Sequence, residues 1–285
     1  MRTVLRLRTH EVPPALTGID APRTVVDELV WREVRNSGAG GGGARRIGRW
    51  RLDPGSDNGF ALLWGTHSGH GMLLPAAGLR AVRAAALTVT AARLFLYSRV
   101  ATVSVLGGGL AAHVVLAELA AHVPGISHVA VCAPDGCPSV PADLAADLEL
   151  AGIGLAAAES AADAGFGANL VVLTCPPGEH DDWQPPRGAL IVNASGQAPP
   201  ASVVAQADQV FVDDRAHPSR AGRVTARLGQ VLAGSHPGRR APDDVVLVDL
   251  LGLHTGGVWL AYRLYEAARS KGLGVPVRTP ESGGL

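Results

Sequence analysis

The feature that most constrains the fold of this chain is a run of three glycines between an apolar stretch and a helical pattern, in "VSVLGGGLAAHVVLAELAAH" (103–122). Gly107, Gly109 and Ala112 meet the pattern G-x-G-x-x-[GA]. The first glycine permits a tight turn out of a strand, the second lets backbone approach a pyrophosphate, and the small third residue lets the helix pack closely on the sheet. The predicted phosphate loop comprises Gly107, Gly108, Gly109, Leu110, Ala111 and Ala112. The alternative is a structural glycine turn in another βαβ fold.

Six short apolar runs begin at residue 101 and are separated by helix-like segments or turns. Continuous apolar strands that alternate with helices are typical of a parallel sheet covered on both faces. The pattern therefore predicts a Rossmann-type, doubly wound α/β domain over residues 98–254. The six runs are 101–107, 128–134, 169–177, 188–196, 207–215 and 243–252.

The residues before the glycine turn are patterned differently and predict a smaller α+β domain for substrate binding and dimerisation. This domain is expected to comprise 1–97, with 255–285 packing back on it. The tail after Pro276 is expected to be loose. The predicted elements are helices at 21–38, 76–97 and 255–272, and antiparallel strands within 45–52 and 58–75.

Composition excludes several classes of protein. Lys+Arg and Asp+Glu are both 25 in 285 residues, so charge gives no argument for nucleic acid or an anionic membrane as partner. No uncharged apolar run reaches the roughly 20 residues of a membrane span. The N-terminus meets charge and proline too early for a signal peptide, so we expect a cytoplasmic protein. Cys132 and Cys137 are five apart, but no second Cys/His pair with finger-like spacing follows, so no metal site is expected.

The choice between NAD and NADP depends on the end of the second apolar run. An acid there binds the ribose 2′-OH of NAD, whereas a nearby Arg accommodates the 2′-phosphate of NADP. Asp135 lies 26 residues after Gly109, and no Arg occurs between Arg99 and Arg187. The sequence therefore favours NAD over NADP. The alternative for Asp135 is a turn residue in "PDG".

Five segments in order resemble the ornithine cyclodeaminase/mu-crystallin family. They are "GLRAVRAAALTVTAARL" (78–94), "ATVSVLGGGLAAHVVLAEL" (101–119), "GALIVNASG" (188–196), "VFVDDRAH" (210–217) and "GQVLAGSHPGRRAPDDVVLVDLLGL" (229–253). The resemblance covers about 60–285. It implies a homodimer that uses NAD(P) on a small imino or amino acid, with hydride transfer at a carbon that bears nitrogen.

The resemblance also implies roles for individual residues. Arg83 matches the arginine that grips the substrate carboxylate, a task suited to the planar guanidinium. The alternative is a surface helix residue. Further residues are expected to lie along the cofactor or to back the nicotinamide: Thr174, Cys175, Pro176, Asn193, Ala194, Leu251 and Gly252.

The chain departs from the family pattern where acid/base groups are expected. No lysine precedes Lys271, and Gln197 and Ala198 stand where the family has an aspartate after Asn-Ala-x-Gly. The Gln-Asp pair expected further on is replaced by Gly256 and Gly257. His70 and His254 are candidate replacements because the unperturbed pKa of histidine is about 6.5, although each is also readable as an ordinary loop histidine. Asp213 and Asp214 are a candidate carboxylate pair, of which at most one would face the site because adjacent strand residues point to opposite faces. The favoured role for both is structural, the binding of loop N–H groups.

Three hypotheses follow. The first is an NAD(P)-dependent imine reductase or amino acid dehydrogenase, in specialised metabolism because the site is unusual. The second is a non-catalytic nucleotide-binding or partner-dependent subunit that has lost the acid/base residues. The third is a cyclodeaminase, which the missing Asp and Lys disfavour because deamination must manage amine addition and ammonia departure.

Overall fold

A computed structural model gives the structure of the chain. It describes residues 2–36, 46–53, 59–133, 140–175, 183–213, 221–251 and 257–279. The chain divides into two compact units: unit 1 comprises Met1–Arg83 and His254–Leu285, and unit 2 comprises Ala84–Leu253. The domain bounds expected from the sequence place the division 14 residues later, after residue 97, and stay predictions.

The helices are α1 (Val12–Leu16), α2 (Ala21–Asn36), α3 (Ala76–Phe95), α4 (Gly109–His122), α5 (Ala142–Leu150), α6 (Ala161–Gly165), α7 (Ala201–Gln206), α8 (Leu228–Leu232) and α9 (Val258–Ser270), with a 3₁₀ turn at Thr9–Glu11. The strands are β1 (Arg2–Arg6), β2 (Arg46–Ile47), β3 (Trp50–Asp53), β4 (Phe60–Gly65), β5 (Gly71–Pro75), β6 (Ala101–Leu106), β7 (Ile126–Cys132), β8 (Gly154–Ala157), β9 (Leu170–Leu173), β10 (Leu190–Asn193), β11 (Gln209–Val212), β12 (Ala226–Arg227), β13 (Val246–Asp249) and β14 (Val275–Thr279).

Unit 1 contains a six-stranded sheet in the order β14-β1-β5-β4-β3-β2, in which only the described pair β1–β5 is parallel. The side chains of β4 alternate between a buried and a half-buried face, as the two-residue period of a strand requires. On the buried face, Leu63 pairs with Leu52 and with Met72. Helix α9 packs on this face, where the ring of Trp50 lies 5.0 Å from that of Tyr265. The predicted antiparallel strands are therefore confirmed.

The prediction that the tail after Pro276 is loose is wrong for the described residues. Strand β14 pairs antiparallel with β1, with Leu5 opposite Pro276 and Arg6 opposite Val275. A proline lacks the N–H that a central strand needs, but β14 lies at the sheet edge, where that loss is tolerated. Sequence patterning also missed β1, because its partner strands lie about 70 and 270 residues further along the chain.

Unit 2 contains an eight-stranded, all-parallel sheet in the order β12-β11-β13-β10-β9-β6-β7-β8. This confirms the predicted doubly wound α/β fold. All residues of the central strands β9, β10 and β13 are buried, which explains why they read as continuous apolar runs rather than alternating ones. The sequence did not predict the edge strands β8 and β12. The former is poor in β-branched residues, and the latter has only two residues.

The strand order reverses between β6 and β9. Strand β7 follows β6 in the chain and pairs on one side of it, whereas β9 pairs on the other side. In open α/β sheets, ligands bind outside the carboxyl ends of the strands at such a switch point. The glycine turn directly follows β6 and therefore lies at this position.

Arg239 anchors the loop before β13 within unit 2. Its buried guanidinium donates to the carbonyl oxygens of Phe95, Gly188, Ala241, Pro242 and Asp244 at 2.5–3.0 Å. Burial lowers the pKa of Arg239 from its usual value. Five carbonyl acceptors satisfy the charge where water does not reach.

The described ranges also bear on membrane-spanning and metal-binding proteins. None of the helices found there is both long and apolar enough to cross a bilayer. No group of three or more His, Cys, Asp or Glu side chains with the geometry to hold a metal ion occurs among those residues. Cys137, the second cysteine of the pair considered above as metal ligands, lies outside the described residues.

Candidate functional site

The glycine turn after β6 is built so that only glycine fits its first position. Gly107 donates its N–H to the carbonyl oxygen of Cys132 at 2.7 Å and has a φ of +131°. A Cβ on Gly107 would lie 2.2 Å from Oγ1 of Thr174 and 2.9 Å from the nitrogen of Cys175. The turn is thus packed between the carboxyl ends of β7 and β9. A side chain is excluded both by space and by backbone conformation.

Helix α4 begins immediately after this turn, with Gly108 as its N-cap. No side chain caps the helix, and its first turn contains no acidic residue. Gly108 and Gly109 are exposed, whereas Ala112 is buried against the unit. The first N–H groups of a helix have no intrahelical partner, and the helix dipole adds positive potential at that end. This arrangement is suited to binding an anionic group.

A dinucleotide diphosphate fits these residues. The backbone of Gly108, Gly109, Leu110 and Ala111 would hold it, since the helix start is exposed, offers N–H donors and carries no acidic side chain. The end of β7, where the adenosine ribose is recognised in such folds, continues into 134–139. Asp135 lies in that stretch, which is outside the described residues. Pro176, Gly252 and His254 also lie outside the described residues, in other parts of the chain.

The end of β9 closes the other side of the turn. Thr174 donates its N–H to the carbonyl oxygen of Leu106 at 2.8 Å, and its Oγ1 donates to the same oxygen at 3.3 Å. The Sγ of Cys175 also lies 3.5 Å from this oxygen. Both side chains are half-buried at the strand edge where the cofactor is expected. Their predicted cofactor role stays a prediction.

A buried polar network lies at the ends of β10 and β13. The Nδ2 of Asn193 donates to Oδ1 of Asp249 and to the carbonyl oxygen of Gln197, both at 2.8 Å. The Oδ1 of Asn193 accepts from Oγ of Ser195 at 2.7 Å, and that Oγ accepts the N–H of Gln197 at 3.1 Å. Asn193 was expected from the sequence, but Asp249 was not. Its signal was its place at the end of a buried apolar run.

Asp213 and Ala194 form further hydrogen bonds at the carboxyl ends of the parallel strands. Oδ1 of the buried Asp213 accepts the N–H of Leu251 at 2.7 Å, which is the loop-binding role expected of it. Ala194 is buried and donates its N–H to the carbonyl oxygen of Leu173 at 2.9 Å. Asp214 lies outside the described residues. The loop that follows β13 is therefore tied to the end of β11.

In unit 1, the predicted substrate-binding Arg83 forms a buried ion pair with Glu28. Nη1 of Arg83 lies 3.3 Å from Oε1 and 3.2 Å from Oε2 of Glu28, and each side chain is only 1% exposed. Glu28 also pairs with Arg32 and accepts the N–H of Gly257 at 3.4 Å. Arg83 is therefore no surface helix residue, and its role toward a substrate stays a prediction.

Sequence patterning missed Glu28, although one signal was present. The buried face of α2 carries Ala21, Val25 and Leu29 at helical spacing, and Glu28 lies on the same stripe. A carboxylate on an apolar stripe demands a buried cationic partner.

His70 and Lys271 take positions in unit 1. His70 is exposed in the turn between β4 and β5, where it lines a cavity of about 190 Å³ with Tyr265 and Arg269. Its catalytic role stays a prediction. Lys271 is the only lysine of the chain, and its Nζ donates to the carbonyl oxygens of Pro14 at 2.8 Å and Thr17 at 2.5 Å. It therefore satisfies carbonyls at the end of α1.

Comparison with known proteins gives matches to the sequence and to the fold. The model of the ornithine cyclodeaminase/mu-crystallin family matches residues 56–272, which is more than half of the chain. The N-((2S)-2-amino-2-carboxyethyl)-L-glutamate dehydrogenase of Staphylococcus aureus (strain NCTC 8325 / PS 47) is 29% identical over 123 residues. That match covers 36% of this chain and 36% of the enzyme, so it spans about a third of the relative's length.

Solved structures share the fold over the whole chain. CmnK is 20% identical with a TM-score of 0.70, covering 100% of each chain. An archaeal alanine dehydrogenase dimer with bound NAD is 19% identical with a TM-score of 0.67, covering 97% of this chain and 99% of that one. At these identities the likeness establishes the fold alone.

Proposed function

Since the chain belongs to the ornithine cyclodeaminase/mu-crystallin family, we propose that it is an NAD-dependent oxidoreductase. Its substrate would be a small imine or the corresponding amino acid, as in an imine reductase or an amino acid dehydrogenase. The observation that carries the proposal is the glycine turn at the switch point of the sheet, where an uncapped helix start faces outward.

The strand order supports a proposed placement of the two cofactor halves. In folds of this type, an acid at the end of the second strand binds the adenosine ribose, so that half extends toward β7. The nicotinamide half then extends the other way, past the ends of β9 and β10. Cys175, Asn193 and Ala194 lie at those ends. These residues would orient the nicotinamide, and Leu251 would close the far side.

NAD is proposed over NADP because the adenosine side of the loop lacks cationic residues. The sequence contains neither Arg nor Lys between Arg99 and Arg187, a stretch that includes all of β6, β7, β8 and β9. A ribose 2′-phosphate needs a cationic partner at the end of the second strand. Asp135 is proposed to accept from the ribose 2′-OH instead.

The chemistry divides between cofactor and protein. The bound nicotinamide supplies or accepts the hydride, and the chain holds and orients the reactants. Gln197 offers a carboxamide, which hydrogen-bonds but does not transfer protons. Reduction of an already protonated imine asks less of acid/base groups than deamination does. The side chains at this edge therefore suit a reductase or dehydrogenase better than a cyclodeaminase, and His70 and His254 are proposed as proton-transfer candidates.

The test has two stages. Purified protein is titrated with NADH and NADPH, and nicotinamide fluorescence reports the two dissociation constants. The expected result is binding of NADH at least tenfold tighter than NADPH. Absorbance of NADH is then followed with cyclic imines, and with 2-oxo acids plus amines. Failure to bind either nucleotide would refute the proposal at its base.

A second function is favoured by the state of Arg83. Its guanidinium is engaged by the internal carboxylate of Glu28, where a catalytic member of the family would engage the substrate carboxylate. We therefore also propose a nucleotide-binding protein without turnover as the alternative. Tight NADH binding with no consumption of NADH against the whole substrate panel would select it.

We further propose that the chain forms a homodimer through the second face of the sheet in unit 1. This face carries the half-buried side chains Phe60, Leu62, Trp64 and Leu73, opposite the face that packs on α9. Half-exposed large apolar side chains in a contiguous patch suit a protein interface. Light scattering with size-exclusion chromatography should give a dimer for the wild type. Leu62→Arg should give a monomer, whereas Arg263→Glu, at an exposed position of α9 on the opposite face, should not.

A further inference from the structure

We infer that Asp249 is a positioning residue for the nicotinamide half of the cofactor, acting through Asn193 on the turn 194–197. The inference rests on the proposed dinucleotide binding and adds a residue that neither the sequence pattern nor the family resemblance had assigned. Asp249 ends β13, Asn193 ends the adjacent β10, and the two are register partners in the parallel sheet.

The acceptor Oδ1 of Asp249 decides which way the amide of Asn193 faces. A carboxylate only accepts hydrogen bonds, so the group of Asn193 that faces it must be the Nδ2 donor. Nδ2 lies 2.8 Å from Oδ1 of Asp249, and both side chains are only 1% exposed. In the opposite orientation, two oxygens would face each other in a buried place, at considerable cost.

The orientation of Asn193 in turn fixes the loop that follows it. With Nδ2 on the side of Asp249, its second proton is donated to the carbonyl oxygen of Gln197, also at 2.8 Å. The Oδ1 then accepts from Oγ of Ser195, and Ser195 accepts the N–H of Gln197. Both backbone groups of Gln197 are thus held by a chain of bonds that begins at Asp249.

The turn held in this way lies where the nicotinamide half is expected. It follows β10, two strands from β6 on the side opposite β7. Gln197 is exposed, although its backbone is tied down. A carboxamide in this position can donate to and accept from the nicotinamide carboxamide or a substrate nitrogen. The adenosine half lies on the other side of the switch point and does not depend on this turn.

The inference is tested with Asp249→Asn and two ligands that share the adenosine half, NADH and ADP-ribose. The asparagine retains an acceptor but permits either orientation of the amide at Asn193. The expected result is NADH binding weakened roughly five- to twentyfold, the order that one or two misplaced hydrogen bonds produce, with ADP-ribose binding changed less than twofold. A purely structural role would weaken both ligands alike.

Two further variants make the outcome decisive. Asp208→Asn is the matched control. Oδ2 of Asp208 accepts the N–H of Val245 at 2.8 Å at the amino-terminal ends of the parallel strands, away from Asp249. This variant should leave the binding of both ligands unchanged. Ser195→Ala removes the hydroxyl between Asn193 and Gln197 at a half-buried loop position. It provides the test if Asp249→Asn does not fold, and it should weaken the binding of NADH but not that of ADP-ribose.

The possible results separate the two claims. If the wild type binds neither NADH nor ADP-ribose, the proposed function fails and this inference fails with it. If the wild type binds both and the Asp249 and Ser195 variants weaken both equally, or neither, the proposed function stands and the positioning role is overturned.

Discussion

Arg83 and Glu28 form an ion pair whose members are 55 residues apart in sequence and almost wholly inaccessible to solvent, with Nη1 3.2 Å from Oε2. Glu28 also forms an ion pair with Arg32 and accepts a hydrogen bond from the N–H of Gly257. One carboxylate therefore links α2, α3 and the start of α9. Burying such charges is costly, and the cost is recovered only while every partner is present.

Glu28→Gln should therefore destabilise the protein markedly. Removing the negative charge leaves the buried guanidinium of Arg83 and the half-buried one of Arg32 without their shared carboxylate. This costs about 3 kcal/mol in the free energy of unfolding. Urea denaturation followed by circular dichroism measures it. The matched control on the same helix is Asp27→Asn, whose pair with Arg23 is exposed, with a side-chain exposure of 71% for Arg23 and 43% for Asp27. The control should change stability by less than about 0.5 kcal/mol. Equal effects at the two positions would contradict the structural assignment of the pair.

Gly108→Asp should abolish dinucleotide binding without harming the fold. Gly108 has ordinary extended dihedral angles, and a Cβ there would meet only the Cβ of Ala133 at 3.6 Å. An aspartate N-cap suits a helix start, so the melting temperature should hold or rise slightly. Its charge would repel a diphosphate and compete for the same N–H groups. Fluorescence titration with NADH should show at least a hundredfold weaker binding, whereas Gly108→Ser, an uncharged cap, should lose far less. Retained NADH affinity in the aspartate variant would place the diphosphate elsewhere.

Arg239→Lys should destabilise unit 2 despite the conserved charge. The planar guanidinium reaches five carbonyl oxygens, and an ammonium group with three donors cannot reach them all. Leaving buried carbonyls unsatisfied predicts a loss of about 2–3 kcal/mol, measured by chemical denaturation. Its neighbour Arg240 is the control. Its ion pair with Asp244 has a distance of 3.8 Å, and the side chain is 65% exposed, so Arg240→Lys should be nearly neutral. A neutral Arg239→Lys would show that the carbonyl contacts contribute little.

Glu11 should contribute stability that depends on pH. Its carboxylate accepts the N–H of Arg8 at 2.7 Å and that of Gly274 at 3.1 Å, and these bonds, with that from Arg8 the stronger, lower its pKa below the usual 4.5. A lowered pKa in the folded state means that the contribution is complete above about pH 4.5 and is lost as the pH falls through the folded value.

The Glu11 effect is measured as a difference in melting temperature. Glu11→Gln should melt below the wild type at pH 7, and the gap in melting temperature should narrow as the pH falls below 4.5. Glu149→Gln, at an exposed position of α5, serves as the control with no gap at either pH. A gap that stays constant across this range would mean that the charge of Glu11 is irrelevant.

Local sequence was sufficient to predict the fold of the half of this protein that contains the parallel sheet. The strand, the glycine turn and the helix start are contiguous in the chain, so the requirement for glycine at position 107 and a small residue at Ala112 can be read from 20 residues. The continuous apolar runs of β9, β10 and β13 likewise indicate a parallel sheet, because a strand buried on both faces has no polar positions to alternate.

The partners of the buried polar residues were decided by the tertiary structure alone. The residues near Arg83 in the chain do not predict its pairing with Glu28, and those near Asn193 do not predict its bond to Asp249. Strand β14 pairs with β1, which lies at the other end of the sequence. Spacing reports which face of an element is apolar, since that depends on residues within a few positions. The pairing of charges and strand edges depends on which distant segments the fold brings within hydrogen-bonding distance, and that information resides in the whole chain.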